Sequence, residues 1–311
     1  MKRSFISLAL CAVILLASAC SAPPPPSSSP SPTATPSPSP ELTAQPTSAP
    51  SATPASSGAF TPVTVEEQLL FDQDGVSLTL KSLTFDSFWG PVLKVVAENN
   101  TEKTVVVSVE NCSINNVMVY GSLYCEVSAG KKSNDEIDFN IEDVAMITTL
   151  KDIEIEFEVY DSDTYDTLFI TDTITITTSA DPSFEQMVNE IGEVVYADND
   201  LVVRVDSEVI YNDSYYDAII YVYAENHSGK DIAMSMQQFS VNGFMIDPYF
   251  YLNIISGKVA YGAIEFYSGD LDENDIEAIE EIEFKLHVYD TSTYSTLFDS
   301  DTIMVAYPAV G

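Results

Sequence analysis

Histidine, cysteine and positive charge are all scarce in this 311-residue chain. It has two histidines, four cysteines, and 12 Lys and Arg against 48 Asp and Glu, a formal net charge of −36. So few basic residues leave no surface to replace the counterions condensed on a phosphate backbone, so nucleic acid is excluded as a partner. The two histidines, His227 and His287, have no companion Cys, Ser or Asp pattern, which argues against a zinc site or a catalytic triad. Long apolar runs are missing too. The one candidate, Phe5 to Leu16, is too short and too early to span a membrane as a helix.

That early run has another reading. Lys2 and Arg3 precede it, and Ala17-Ser18-Ala19 and then Cys20 follow, which is the layout of an export leader. Small residues before Cys20, with Leu15-Leu16 upstream, resemble the lipobox of bacterial lipoproteins, although Ala17 stands where that family usually has leucine. The resemblance implies cleavage before Cys20, acylation of its thiol, and a lipid anchor on the outer face of the cell membrane. Cleavage there removes two basic residues and no acidic ones, so the formal charge moves from −36 to −38. A chain that acidic is repelled by anionic lipid and stands off the membrane.

Proline, sparse elsewhere, is concentrated next. Twelve of the 17 prolines lie between Pro23 and Pro54, among Ser, Thr and Ala. Such a segment has nothing apolar to bury and cannot offset its ordering entropy. Proline biases it to an extended spacer on the order of 100 Å long.

The remaining residues contain one unit written twice. Val95-Val96-Ala97-Glu98-Asn99 returns as Val222-Tyr223-Ala224-Glu225-Asn226, and Ser113-Ile114-Asn115-Asn116 as Ser240-Val241-Asn242-Gly243. The run Val159 to Ile174 returns as Val288 to Ile303 with 11 of 16 residues identical. The expected organisation is a leader (1–19), a lipid-anchored linker (20–61), repeat one (62–179) and repeat two (184–308). Within each repeat the period is two. Ile153, Ile155, Phe157 and Val159 alternate with acidic residues, as in a strand with one buried face. Asn242-Gly243 is a type I′ hairpin signal, and Asn115-Asn116 is its weaker twin. Residues 143–150 and 271–279 have helix-like spacing, enough for a short helix or a single turn. Seven or eight short strands per copy predict an all-β chain of two tandem antiparallel β-sandwiches.

The blocks Val-x-Ala-Glu-Asn, Ser-[Ile/Val]-Asn-[Asn/Gly] and Val-Tyr-Asp followed by Leu-Phe resemble the immunoglobulin-like domains of uncharacterised surface lipoproteins of Gram-positive bacteria. The resemblance implies an immunoglobulin-like sandwich and an extracytoplasmic location. It carries no catalytic residues with it.

Few residues suggest chemistry. The acidic run Asp161 to Asp166 has the oxygen ligands calcium wants, but its counterpart, Asp290 to Ser295, has lost two of three carboxylates while Tyr294 stays. Those kept residues read as packing and turn chemistry. No carboxylate pair stands out for hydrolysis, and no cofactor or metal is expected. Cys112 and Cys125 are candidates for a disulfide in an exported chain; Phe239 and Leu252 replace them in repeat two, so both sites read as buried. Phe88-Trp89 and their counterpart Tyr215-Tyr216 place adjacent aromatics at one connection of each repeat, where they can contact a surface glycan or protein or merely cover the core. The sequence therefore predicts a non-catalytic surface binding or adhesion module. The alternatives are a spacer or subunit of an envelope complex, and an extracellular hydrolase.

Overall fold

The computed structural model describes residues 60–86, 90–211 and 216–307. The expected leader, Cys20 and nearly all of the expected linker lie outside that range, as do Phe88, Trp89 and Tyr215.

The described chain is all-β, as the alternation predicts. The first copy holds β1 (Gln68–Gln73), β2 (Val76–Asp86), β3 (Gly90–Asn99), β4 (Val105–Ile114), β5 (Val117–Met118), β6 (Tyr120–Ser122), β7 (Tyr124–Val127), β8 (Lys131–Asn140), β9 (Asp152–Asp161), β10 (Thr167–Ile170) and β11 (Ile174–Thr177). The second holds β12 (Glu193–Asp198), β13 (Leu201–Val205), β14 (Ile210–Tyr211), β15 (Tyr216–Asn226), β16 (Ile232–Val241), β17 (Phe244–Met245), β18 (Tyr251–Ile254), β19 (Val259–Tyr267), β20 (Glu281–Asp290), β21 (Thr296–Asp299) and β22 (Ile303–Ala306).

The count exceeds the seven or eight expected because long ribbons are interrupted. β10 and β11 both pair with β9. Between them the Thr171 hydroxyl accepts the Phe157 N–H at 3.0 Å, standing in for a ladder bond. Ser300 does the same for Leu286 at 2.9 Å. The helix-like stretches form only single 3-10 turns, Asp143–Ala145 and Asp272–Asn274. Each ends at a left-handed residue, Met146 (φ 53°) and Asp275 (φ 55°). Both hairpins form as predicted. Asn115 and Asn116 have φ of 52° and 70°, and Asn242 and Gly243 have 50° and 83°, with β4 paired to β5 and β16 to β17.

Each copy is a two-layer antiparallel sandwich. In the first, β1-β2-β3-β8-β6 face β4, β7 and β9. Leu78, Val95 and Ile137 from one layer meet Val107, Ile155 and Phe157 from the other, all buried. Each such side chain contributes about 1.5–3 kcal/mol by leaving water. In the second, Val203, Ile220 and Ile264 meet Met234, Phe284 and Leu286.

The blocks that reveal the repeat in sequence hold its turns together. Asn99 is fully buried at the end of β3. It donates to the Lys103 carbonyl at 2.7 Å and the Val127 carbonyl at 2.8 Å, and accepts the Thr101 N–H at 2.9 Å. Asn226 repeats all three, to Lys230, Ile254 and Ser228. An apolar residue there would orphan buried backbone carbonyls, costing about 1–3 kcal/mol.

The two copies share a sheet. β5 pairs with β19 in parallel through Val117 and Val259, joining the second layer of the first copy to the first layer of the second in one 11-stranded sheet. Alternation across this joint tells which core lies on which face. Val117 is in the first core, while Met118 packs on the second. Val259 and Tyr261 pack on the first core, while Ala260 is in the second. Neighbouring residues in a strand point to opposite faces, so the two cores lie on opposite faces of the shared sheet. Lys258 crosses the joint to Glu154 and to Asn116 Oδ1 at 3.0 Å. The connecting segment is tied down as well. Tyr261 Oη accepts the Asn189 N–H at 3.0 Å and donates to the Asn189 carbonyl at 2.8 Å. Gly192 (φ 65°) lies where an added Cβ would sit 2.0 Å from the Val205 carbonyl oxygen, so only glycine fits.

Candidate functional site

Of the four aromatics predicted to contact a ligand, Tyr216 is described and Phe88, Trp89 and Tyr215 lie outside the described residues. Tyr216 opens β15 half-buried, and its ring lies 5.7 Å from that of Tyr267, its cross-strand neighbour. It is part of a paired strand rather than a loop tip.

Cys112 and Cys125 are buried, as the Phe239 and Leu252 counterparts predict, and are free thiols rather than a disulfide. Strand register gives the reason. Cys125 pairs opposite Val107, five residues along β4 from Cys112. That is roughly 17 Å at the strand rise, far beyond the reach of a disulfide. Burial, and then the Glu154 charge, push the Cys112 thiol pKa up; burial, and then Asp135, push that of Cys125 to about 11.

The Asp161 loop is occupied by its own protein. Asp161 is buried and accepts Lys103 Nζ at 2.6 Å and the Asp163 N–H at 3.0 Å. The Lys103 hydrogen bond, helped by that N–H, holds its carboxyl below the usual range. Asp290 repeats the arrangement with Lys230 at 3.3 Å and the Ser292 N–H at 3.0 Å. Burial pushes Asp290 up, but Lys230 and Thr293 outweigh it and hold the carboxyl low. Among the described residues no three His, Cys, Asp or Glu side chains converge as a metal site would require. A cleft of about 190 Å³ opens at one end of the second copy beside Ser228, Lys230 and Phe298. The Lys230 ammonium in it is already paired with Asp290.

The surface feature common to both copies is tyrosine. Tyr165 and Tyr294 are 77% and 81% exposed, where their return in both copies predicts packing. Both sit in left-handed backbone, with φ of 61° and 52°. Each closes its hairpin by donating its N–H to the carbonyl of Asp161 or Asp290, at 2.9 and 2.8 Å. Glycine or asparagine is the usual residue at such a position, and a bulky side chain costs about 1–2 kcal/mol there. Two more tyrosines stand beside each. Tyr160 on β9 lies 6.3 Å from the Tyr165 ring, nearly parallel to it. Tyr124 on β7 is 65% exposed. In the second copy Tyr251 on β18, whose hydroxyl donates to Asn253 Oδ1 at 3.4 Å, has Tyr289 on β20 and Tyr294 as neighbours.

Register explains the grouping. Tyr124 lies opposite Ser108, and Tyr160 opposite Val106, on the outward face of the central strand β4. Tyr251 lies opposite Ser235, and Tyr289 opposite Ala233, on β16. Val106 and Ala233 face away from the cores yet are fully buried. Each outer face thus has a small-residue floor flanked by aromatic rings. Burial, with the neighbouring Tyr124 and Glu158, raises the Tyr160 pKa, and burial, then Tyr289, raises that of Tyr251. Both hydroxyls stay neutral at physiological pH and can donate. Sequence reasoning missed these patches. The signal available was that Tyr124, Tyr160 and Tyr165 all recur as tyrosine while their acidic neighbours do not.

No protein-family model matches the chain, and no curated protein matches it. Among solved structures it is similar to a protein of unknown function from Porphyromonas gingivalis W83, at 10% identity over 70% of this chain and 89% of that one, with a TM-score of 0.21. It is also similar to the Salmonella enterica SafA pilin in complex with the SafB chaperone, at 9% identity over 69% and 88%, with a TM-score of 0.18. Overlaps this loose carry neither topology nor function. What fold and surface define is an all-β chain of two fused sandwiches, each displaying an outward tyrosine patch.

Proposed function

We propose that this chain is a non-catalytic binding module of the cell surface, anchored through lipid on Cys20, with the tyrosine patches as its contact surfaces. One observation carries the reading: the same three tyrosines recur on the outward face of both copies, one of them against its backbone preference. Tyrosine offers a large, rigid, amphipathic contact at low entropic cost, which is why it is enriched where proteins bind. A solvated strand face would not need it twice. The buried carboxylates are engaged in ion pairs and turns, which fits a scaffold rather than a reaction centre.

The test compares the full chain carrying Cys20→Ser, so that lipid does not hold it, with the same chain carrying Tyr165→Asn and Tyr294→Asn as well, for retention on isolated cell-envelope fractions. Asparagine tolerates the left-handed backbone, so folding is preserved. Retention falls at least tenfold with melting unchanged. Equal retention removes the patches from the function. The continuous sheet favours a second reading, a rigid spacer or subunit of an envelope complex. That reading gains if cross-linking in intact cells gives one abundant protein partner.

A further inference from the structure

We infer that the two patches bind a single chain of an uncharged polysaccharide, side by side, so that the protein is bivalent within one molecule. The inference rests on the patches being contact surfaces, and adds their ligand and geometry.

Ligand class follows from what the duplication changed. Around the first patch stand Glu126, Glu158, Asp163 and Asp166. At the matching positions of the second stand Asn253, His287, Ser292 and Ser295. All four carboxylates are replaced by polar groups, and the one carboxylate the second copy gains there, Asp299 in place of Ile170, is taken up by His287 at 2.6 Å, while Tyr124, Tyr160 and Tyr165 return as Tyr251, Tyr289 and Tyr294. Hydroxyls persist as well: Ser108 and Ser235, Thr164 and Thr293, Thr167 and Thr296. A cationic partner would need the carboxylates in both copies, and an anionic polymer would be repelled by the first patch and by the chain's charge of −36. What both patches offer alike is ring faces beside neutral hydrogen-bonding groups. This complements a sugar ring, which has an apolar face and a rim of hydroxyls, without formal charge.

Geometry follows from the shared sheet. The first patch lies on the face of that sheet opposite the first core, and the second core lies on that same side. The layer covering the second core, which contains β16, β18 and β20, carries the second patch on its outer surface. Both patches therefore lie on the same side of the shared sheet, the second raised by one sheet spacing, about 10 Å, and turned from the first by the sheet's twist of about 20–25° per strand. The joint fixes this arrangement through paired strands and the tied connecting segment. A polymer crossing that side meets both sites, and the second contact becomes intramolecular.

The test uses the full chain on an insoluble β-1,4-glucan, a β-1,3-glucan and a polymer of β-1,4-linked N-acetylglucosamine, with polylysine and a teichoic acid as charged comparators. Binding of a matching trisaccharide is followed by calorimetry. The wild type is retained on at least one neutral polymer and takes two trisaccharides per chain. Tyr165→Asn or Tyr294→Asn alone lowers polymer affinity about 100-fold, leaves trisaccharide affinity within threefold, and halves its stoichiometry. Tyr124→Ser and Tyr251→Ser, at regular strand positions, give the same pattern and guard against a turn defect. Stronger retention on polylysine or teichoic acid, or on none of the five, overturns the ligand class. Halved stoichiometry with polymer affinity unchanged overturns bivalency but leaves the patches as binding surfaces.

Discussion

Removing Glu154 tests how firmly the joint between the two copies is locked. Its carboxylate pairs with the Lys258 ammonium, whose other partner is Asn116 Oδ1 at 3.0 Å. The Lys258 side chain is only 11% exposed and that of Glu154 28%. Deleting one partner of a fully buried ion pair costs about 3–5 kcal/mol, because the remaining charge is stranded. Partial exposure of Glu154 lets water reach the ammonium, so Glu154→Ala should cost about 2 kcal/mol. For some 250 folded residues that lowers Tm by about 4–8 °C. Lys258→Met removes the charge and keeps the packing, so it should cost under about 1 kcal/mol. In that background Glu154→Ala should then cost almost nothing. Urea unfolding of all four proteins gives the coupling directly. If Glu154→Ala is as stable as wild type, or costs the same with and without Lys258, the joint is held by its strands alone.

Two further outcomes are expected. Asp161 and Asp290 have carboxyls held below their ordinary range of about 3.9, so they stabilise the fold above that value and lose the contribution as pH falls through their lowered pKa values. Asp161→Asn should flatten the acid limb of the stability–pH curve, and an unchanged limb would count against the Lys103 pairing. Cys112 and Cys125, buried and with raised thiol pKa values, should resist alkylation at pH 8 until urea is added, since the thiolate is the nucleophile. Non-reducing mass spectrometry should then count both as free thiols.

How much of this was legible depended on range. Alternation at Ile153 to Val159 predicted the buried face correctly, and Asn242-Gly243 named its turn, because both signals are local. The repeat itself located Asn99 and Asn226, whose three hydrogen bonds explain why that block returns nearly unchanged. The disulfide could not be decided, because Cys112 and Cys125 belong to strands whose relative register appears only on pairing. The tyrosine patches were hidden for a related reason. Alternation says that Tyr124 and Tyr160 face outward, but not that β4 brings them over one floor. Nor does it show that Tyr165 stands clear of the core in left-handed backbone. The joint was the least visible, since two residues of β5 meet a strand some 140 positions on.

That joint also limits growth. A duplicated unit that docks tip to edge is a template for endless head-to-tail stacking. The free tip exists: Phe244 and Met245 of β17 are exposed where Val117 and Met118 are covered. The free receiving edge, the first half of β8 where β6 does not reach, does not match it. It presents Lys132, Ser133 and Asn134 where the second copy presents Val259, Ala260 and Tyr261. An incoming Phe244 would meet an ammonium and an amide instead of an apolar seat. The first copy thus acts as a polar cap that closes the series at two, keeping a self-complementary design from becoming a fibre.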